Sequence, residues 1–219
     1  MNKYTEPHFS RSALITIDTQ NDFTLDDAPA FISGTKEIIA NMMQLLEAYR
    51  SQGWPIIHVV RLYSRDGSNA DLCRKAFVEG GQQIVAPGTE GAELVQGLKP
   101  DSAIKLDPNA LLSGDFQKIG PNEYIMYKPR WGAFYQTGLE AFLNEHDIDT
   151  LVFSGCNFPN CPRTSIYEAS ERDFRIVLVS DAISQLYPRG EKEMISIGVG
   201  ILLTQDVKTL LAKTSDSCV

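Results

Sequence analysis

The chain has 219 residues, 43% of them hydrophobic and 22% charged, with a net charge of −8. That length and composition suit one ordinary globular domain with a sizeable core. The acidic balance argues against nucleic acid or an anionic membrane as the main partner, because either needs a basic face.

The opening MNKYTEPHFSRS holds no apolar run of the kind an export signal needs. No stretch approaches the roughly 18 apolar residues of a membrane span. A cytoplasmic location is expected, with the thiols of Cys73, Cys156, Cys161 and Cys218 reduced. Residues 1–11 read as an N-terminal extension of a single domain covering 1–219. ALITIDT (13–19) reads as a strand, and GTKEIIANMMQLLEAYRSQG (34–53) as an amphipathic helix with Gly53 past its end. WPIIHVVRLY (54–63) is a second strand. Residues 64–100 read as loops with a short helix near 91–98. Residues 101–120 read as an insertion, for which a lid, an oligomer contact and a plain surface excursion all fit. EYIMYK (123–128) is a strand, TGLEAFLNEHD (137–147) a helix and TLVFSG (150–155) a strand. PRTSIYEASERDF (162–174) is a helix and RIVLVSDA (175–182) a strand. EKEMISIGVGIL (191–202) is a helix leading into a short last strand.

Near-continuous apolar strands alternating with amphipathic helices predict a three-layer, Rossmann-like α/β fold. Its sheet is mostly parallel, of about six strands, with helices on both faces. Sites in such sheets form at the carboxyl ends of strands. Asp18, Arg61, Lys128 and the loop 155–161 stand at such ends.

Zinc is not expected. Cys156 and Cys161 lack a second ligand pair at suitable spacing, and His8, His58 and His146 are scattered. His58, within PIIHVV, reads as a buried structural residue. In SGCNFPNCPRTS (154–165), Cys161 stands at a helix start opened by Pro162. The helix dipole there favours a thiolate. The same segment also suits two ordinary buried thiols. A cysteine nucleophile needs a base, and Asp18 supplies a carboxylate at the end of another strand. Lys128, at a third strand end, can hold that carboxylate and stabilise developing negative charge.

The ordered motifs IDTQNDF, PGTEGAELVQGLKP, YKPRWGAFYQTGLEAFL and LVFSGCNFPNCPRTSIYEASERDFRIVLVSDA resemble the isochorismatase-like cysteine hydrolase superfamily over residues 12–205. That group includes nicotinamidases, N-carbamoylsarcosine amidohydrolases and biuret hydrolases. The resemblance implies a catalytic triad of Asp18, Lys128 and Cys161. It also implies a cis peptide between Cys156 and Asn157, with the Asn157 and Cys161 N–H groups as an oxyanion hole. Dimers or tetramers are implied as well. The metal cluster of nicotinamidases has only His58 and Asp66 as counterparts here, so neither metal nor other cofactor is expected. Phe23, Trp131, Phe134 and Phe158 are candidate pocket walls, the last narrowing the pocket together with Pro159. Arg61 is a candidate for binding a substrate carboxylate or carbonyl, and Gln20 for supporting the site by hydrogen bonding. Arg65, Arg74 and Arg130 are lesser candidates for the same contact, with surface salt bridges as their ordinary role. The expected activity is metal-independent hydrolysis of a C–N bond in a small amide or carbamoyl compound, through a thioester. The alternatives are vinyl-ether hydrolysis without a cysteine nucleophile, and a non-catalytic binding protein on the same fold.

Overall fold

Six fully buried residues, Ser12–Ile17, form the central strand β1. It pairs in parallel on both sides, with β2 (Ile56–Val60) and with β5 (Thr150–Gly155). Beyond β2 lies β4 (Glu123–Tyr127), and beyond β5 lie β6 (Arg175–Ile183) and β7 (Gly200–Leu202), all parallel. The short β3 (Gln117–Gly120) pairs antiparallel with β4 and forms that edge. The order in this computed structural model, which describes residues 2–216, is β3-β4-β2-β1-β5-β6-β7. The expected Rossmann-like α/β fold is therefore present, with seven strands rather than six. Cys218 lies outside the described residues.

Successive side chains of a strand point to opposite faces of the sheet, and this splits the core in two. Leu14, Ile56 and Val152 pack with Met42, Leu45, Leu46 and Tyr49 of α2 (Ile39–Gln52) and with Val207 and Leu211 of α8 (Thr204–Asp216). Ala13, Ile15, Ile17, Leu151 and Phe153 pack on the other side. Their partners come from α5 (Leu139–Glu145), α6 (Cys161–Ser170) and α7 (Pro188–Ser196). A third cluster, with Phe23, Leu62, Tyr63, Val78, Leu94 and Leu111, lies where β2 gives way to loops. It draws on α1 (Asn21–Thr24), α3 (Leu72–Glu79) and α4 (Pro108–Ser113). Among the described residues no helix is long and apolar enough to cross a membrane.

The middle of the chain departs from expectation. No helix forms at 91–98: only a 3-10 turn, Glu90–Ala92, is present. The backbone that follows is bound elsewhere, with Asn21 N–H donating to Glu93 O and Val95 N–H to Thr19 O. Gly97, at φ +98°, breaks helical geometry outright. The helix of this region is α3 instead, at 72–79. α2 begins at Ile39 rather than at 34, though Gly53 ends it in the left-handed conformation as read (φ +69°). Residues 101–120 hold α4 and the edge strand β3.

His58 is buried, as expected, and belongs to a polar chain crossing the sheet. Its Nδ1 lies 2.8 Å from Thr16 Oγ1 and its Nε2 2.8 Å from Glu123 Oε1. Arg50 completes the chain with bonds of 2.8 and 2.7 Å to the two Glu123 oxygens. Burial pushes the Glu123 carboxyl upward, but the bonds from Arg50 and His58 outweigh it and hold the group below its ordinary value. A depressed folded value stabilises the protein above the unfolded carboxylate range and ceases to do so as pH falls through the folded value. Glu123→Gln should therefore lower unfolding free energy in urea by about 3 kcal/mol at neutral pH, the usual size for breaking a buried pair. The deficit should narrow as pH falls below about 4.

Candidate active site

The chain runs from β1 to β2 and β4 on one side of the sheet, then returns through α5 to β5 on the other. The carboxyl ends of β1 and β5 thus flank the point where strand order reverses, which opens a crevice in such sheets. Asp18 follows β1 directly. It adopts φ +51°, which Asp tolerates better than most residues, and its N–H donates to Val59 O at 2.9 Å.

Lys128 follows β4, and its N–H donates to Val60 O at 3.0 Å. Its side chain is fully buried, with Nζ 2.8 Å from Asp18 Oδ2. Nζ also donates to Arg130 O at 3.2 Å. The other carboxylate oxygen, Asp18 Oδ1, is buried and makes no hydrogen bond of usual geometry among the described residues. A carboxylate oxygen without a donor is costly inside a protein. It is an atom placed to take up a proton.

Cys161 is the first residue of α6, with Asn160 at the N-cap and Pro162 at the second position. Its thiol interacts with both Asp18 and Lys128. Burial first, and then the Asp18 charge, push it up to about 12, against the opposing pull of Lys128. Burial and the Asp18 charge thus act against the thiolate that the helix start favours. The thiol stands beside a buried ion pair that, with burial, favours its protonated form.

The β5 loop brings Cys161 to this point. Gly155 has φ +112°, and a Cβ on it would lie 2.3 Å from Ile17 O, so only glycine lets the two strands pass this closely. The Cys156–Asn157 peptide is cis. Phe158 N–H donates to Ser184 O at 2.9 Å, and the Asn157 side chain donates to Gln185 Oε1 at 2.7 Å, pinning the loop to the end of β6. Among the described residues the Asn157 and Cys161 N–H groups find no acceptor in the protein. Cys156 is buried, and its Sγ donates to Asp18 O at 3.1 Å. Burial, followed by the Asp18 charge, raises its thiol well above the ordinary value. Its contact is with the backbone of Asp18, not with the carboxylate.

The sequence model of the isochorismatase domain matches residues 12–108 and 116–199 of this chain. The chain belongs to the isochorismatase family. It is 31% identical over 181 residues to a probable inactive nicotinamidase of Arabidopsis thaliana, covering 81% of this chain and 82% of that protein. It is 27% identical to the N-carbamoylsarcosine amidase of an Arthrobacter species, over 82% of this chain and 61% of that one. The solved structure of an isochorismatase family protein from Desulfovibrio vulgaris subsp. vulgaris str. Hildenborough superposes with a TM-score of 0.78 at 32% identity. That superposition covers 92% of this chain and 98% of the other.

In this isochorismatase-family protein a cavity of about 340 Å³ opens over Asp18 and Cys161. Phe23, Arg61 and Trp131 line it together with Cys156 and Asn157. Phe134 and Phe158 do not, which corrects two expected pocket walls. Phe134 packs against Phe174 and under the Arg172 guanidinium. Phe158 is fully buried, edge-on to Tyr187 and against Gly190. Both belong to the core between the sheet and α5–α7 because their backbone turns inward, which spacing alone does not reveal.

Arg61 lines the cavity but is already engaged. Its guanidinium pairs with Asp71 at 2.5 Å, bonds Tyr63 Oη at 3.0 Å and Lys128 O at 3.0 Å, and stacks on the Tyr63 ring. It braces the wall and the backbone of Lys128. Gln20 does the same from the other side: its side chain bonds Arg61 N–H, Arg61 O and Ala92 O at 2.8, 2.8 and 2.6 Å. His58 and Asp66 serve elsewhere. Asp66 is an exposed partner of Ser68, and among the described residues no three His, Cys, Asp or Glu side chains stand together as a metal site. Tyr63, Cys73 and Asn160 line the cavity without having been picked out as pocket residues, and Arg74, a lesser candidate for contacting substrate, lines it too. Asn160 was legible as the residue before Cys161. Cys73 was hidden because α3 was read as loop.

Proposed function

We propose that this protein is a metal-independent cysteine amidohydrolase cleaving the C–N bond of a small amide or carbamoyl compound. The observation that carries this reading is the buried Asp18–Lys128 ion pair beside the Cys161 thiol, under one small cavity. Two N–H groups without an acceptor, of Asn157 and Cys161, support it. So does the similarity to proteins named N-carbamoylsarcosine amidase and ureidoacrylate amidohydrolase.

In this reading Asp18 Oδ1 takes the Cys161 proton as the sulfur attacks the carbonyl carbon. The negative charge that develops on the carbonyl oxygen is met by the Asn157 and Cys161 N–H groups. Asp18 returns the proton to the nitrogen, the C–N bond breaks, and ammonia or an amine leaves with the acyl group held as a thioester. Water then attacks the thioester with Asp18 again as base, giving the acid and the free thiol. Lys128 keeps Asp18 oriented and charged between steps. A thiol raised to about 12 fits such a cycle: the proton moves directly to Asp18 when substrate fills the cavity, and no standing thiolate is needed.

The test is a screen of small amides, ureas and carbamates for ammonia release, with acid-quench mass spectrometry of the protein during turnover. The expected result is release with at least one compound and a mass increase on the peptide containing Cys161. Turnover with no acyl adduct, under conditions where the second step is limiting, would speak for hydrolysis without a covalent intermediate.

A further inference from the structure

We infer that the substrate carries a carboxylate away from its scissile bond, and that Arg74 on α3 is the residue that receives it. The inference rests on the reading of Cys161 as nucleophile and adds the substrate's charge and the group that selects it. Of the charged side chains lining the cavity, Asp18 is paired with Lys128 and Arg61 with Asp71. Arg74 is the third, and among the described residues its guanidinium has no ion pair and no hydrogen bond. Asp71 is the nearby carboxylate on the same helix end, but it is taken by Arg61 and faces Arg130 at 3.8 Å. Lys75, the next residue, is matched to Glu79.

The cavity and the groups ion-paired to it therefore hold Arg61, Arg74, Arg130 and Lys128 against Asp18 and Asp71 only. That excess of positive charge stands in a chain whose net charge is −8. A cleft of one sign in a protein of the other concentrates ligands of opposite charge. The remaining polar side chains of the lining point the same way. Tyr63 Oη donates to Asp71, and the Asn157 and Asn160 amides donate to Gln185 and to Asn157. The Tyr63 hydroxyl proton is spent and each amide has one N–H engaged, so Arg74 is the one charged donor of the lining without a partner among the described residues, placed to recognise the part of the substrate away from Cys161. A planar guanidinium with several donors matches a carboxylate in two-point contact, and one unpaired cation matches one negative charge. Phe23 and Trp131 supply the apolar walls between the two ends.

N-iodoacetylglycine and N-iodoacetylglycinamide test this, since both alkylate through the same carbon and differ only in carrying a carboxylate or a neutral amide at the far end. Their alkylation rates at Cys161 are measured by peptide mass spectrometry and divided by their rates with glutathione. The normalised preference for N-iodoacetylglycine at Cys161 should exceed one. It should fall by about tenfold in Arg74→Gln, the effect of losing one charge-assisted hydrogen bond. Arg74→Lys should keep part of it, and N-iodoacetylglycinamide rates should stay within about twofold throughout. Arg74 is exposed, so thermal unfolding should not move. A preference at or below one in the wild type, or one untouched by Arg74→Gln, overturns the assignment. Neither outcome touches the amidohydrolase reading, which stands or falls on ammonia release.

Discussion

Cys161→Ala should remove amide hydrolysis, with a loss on the order of 10⁴-fold to 10⁶-fold, the range seen when a covalent nucleophile is deleted from a working triad. Ammonia release under saturating substrate checks it. Asp18→Asn should lose activity on a similar scale, because the asparagine amide can neither accept the thiol proton nor return it to the leaving nitrogen. Cys156→Ser should keep most of the activity. The Cys156 sulfur serves as a donor to Asp18 O, and a serine hydroxyl can make the same bond. The contrast between the two cysteines is the informative part, since both line the cavity and burial raises both thiols. A Cys161→Ala protein that still turned over amides would exclude the covalent route.

Asp18→Asn should also have an effect of opposite sign: the enzyme that no longer hydrolyses amides should be alkylated faster at Cys161. Burial is the largest reason that the thiol is raised to about 12, and the Asp18 charge is the next, while Lys128 pulls the other way. Removing the carboxylate leaves burial opposed by Lys128 alone, so the thiol becomes more acidic. Each pKa unit multiplies the thiolate fraction by about ten at a pH well below the pKa. Iodoacetamide labelling of Cys161 at pH 8 should rise roughly tenfold in the variant. The wild-type labelling rate should climb with pH from 9 toward 12, and the variant's curve should lie at lower pH. A variant labelled more slowly than the wild type would mean that Asp18 does not raise the thiol. The proton would then have to be held by another group.

Much of the site was legible because its parts sit at element ends, and element ends are written in local sequence. The apolar run ALITI stops at Asp18, EYIMY stops before Lys128, and TLVFSG leads through a short loop to Cys161 before Pro162. Period-2 and period-3.6 patterns over such runs are strong signals. α3 was missed because its run, LCRKAFVE, is short and its burial slight: only Val78 is buried. The expected helix at 91–98 failed for the opposite reason. GAELVQGL has an acceptable helical pattern, yet its backbone groups are bound by residues 19 and 21, far away in sequence. α8 was also not picked out, although Val207, Leu210 and Leu211 follow a helical spacing. The helix is held by packing on α2 and by Asp181, which accepts the Thr204 N–H and hydroxyl at 2.8 Å.

The sequence by itself determined the alternating α/β architecture, the family, and the three strand ends from which Asp18, Lys128 and Cys161 come. Those depend on local periodicity and on residues placed next to glycine or proline. Only the tertiary structure decided which charges are spent and which are free. It showed that Arg61 is consumed by Asp71 and Tyr63 while Arg74 is not, that Phe134 and Phe158 face the core, and that burial and Asp18 raise the Cys161 thiol. These outcomes turn on desolvation and on partners distant in sequence. Burial raises the cost of any charge left unpaired, and which groups find partners is fixed only when the strands, helices and loops meet.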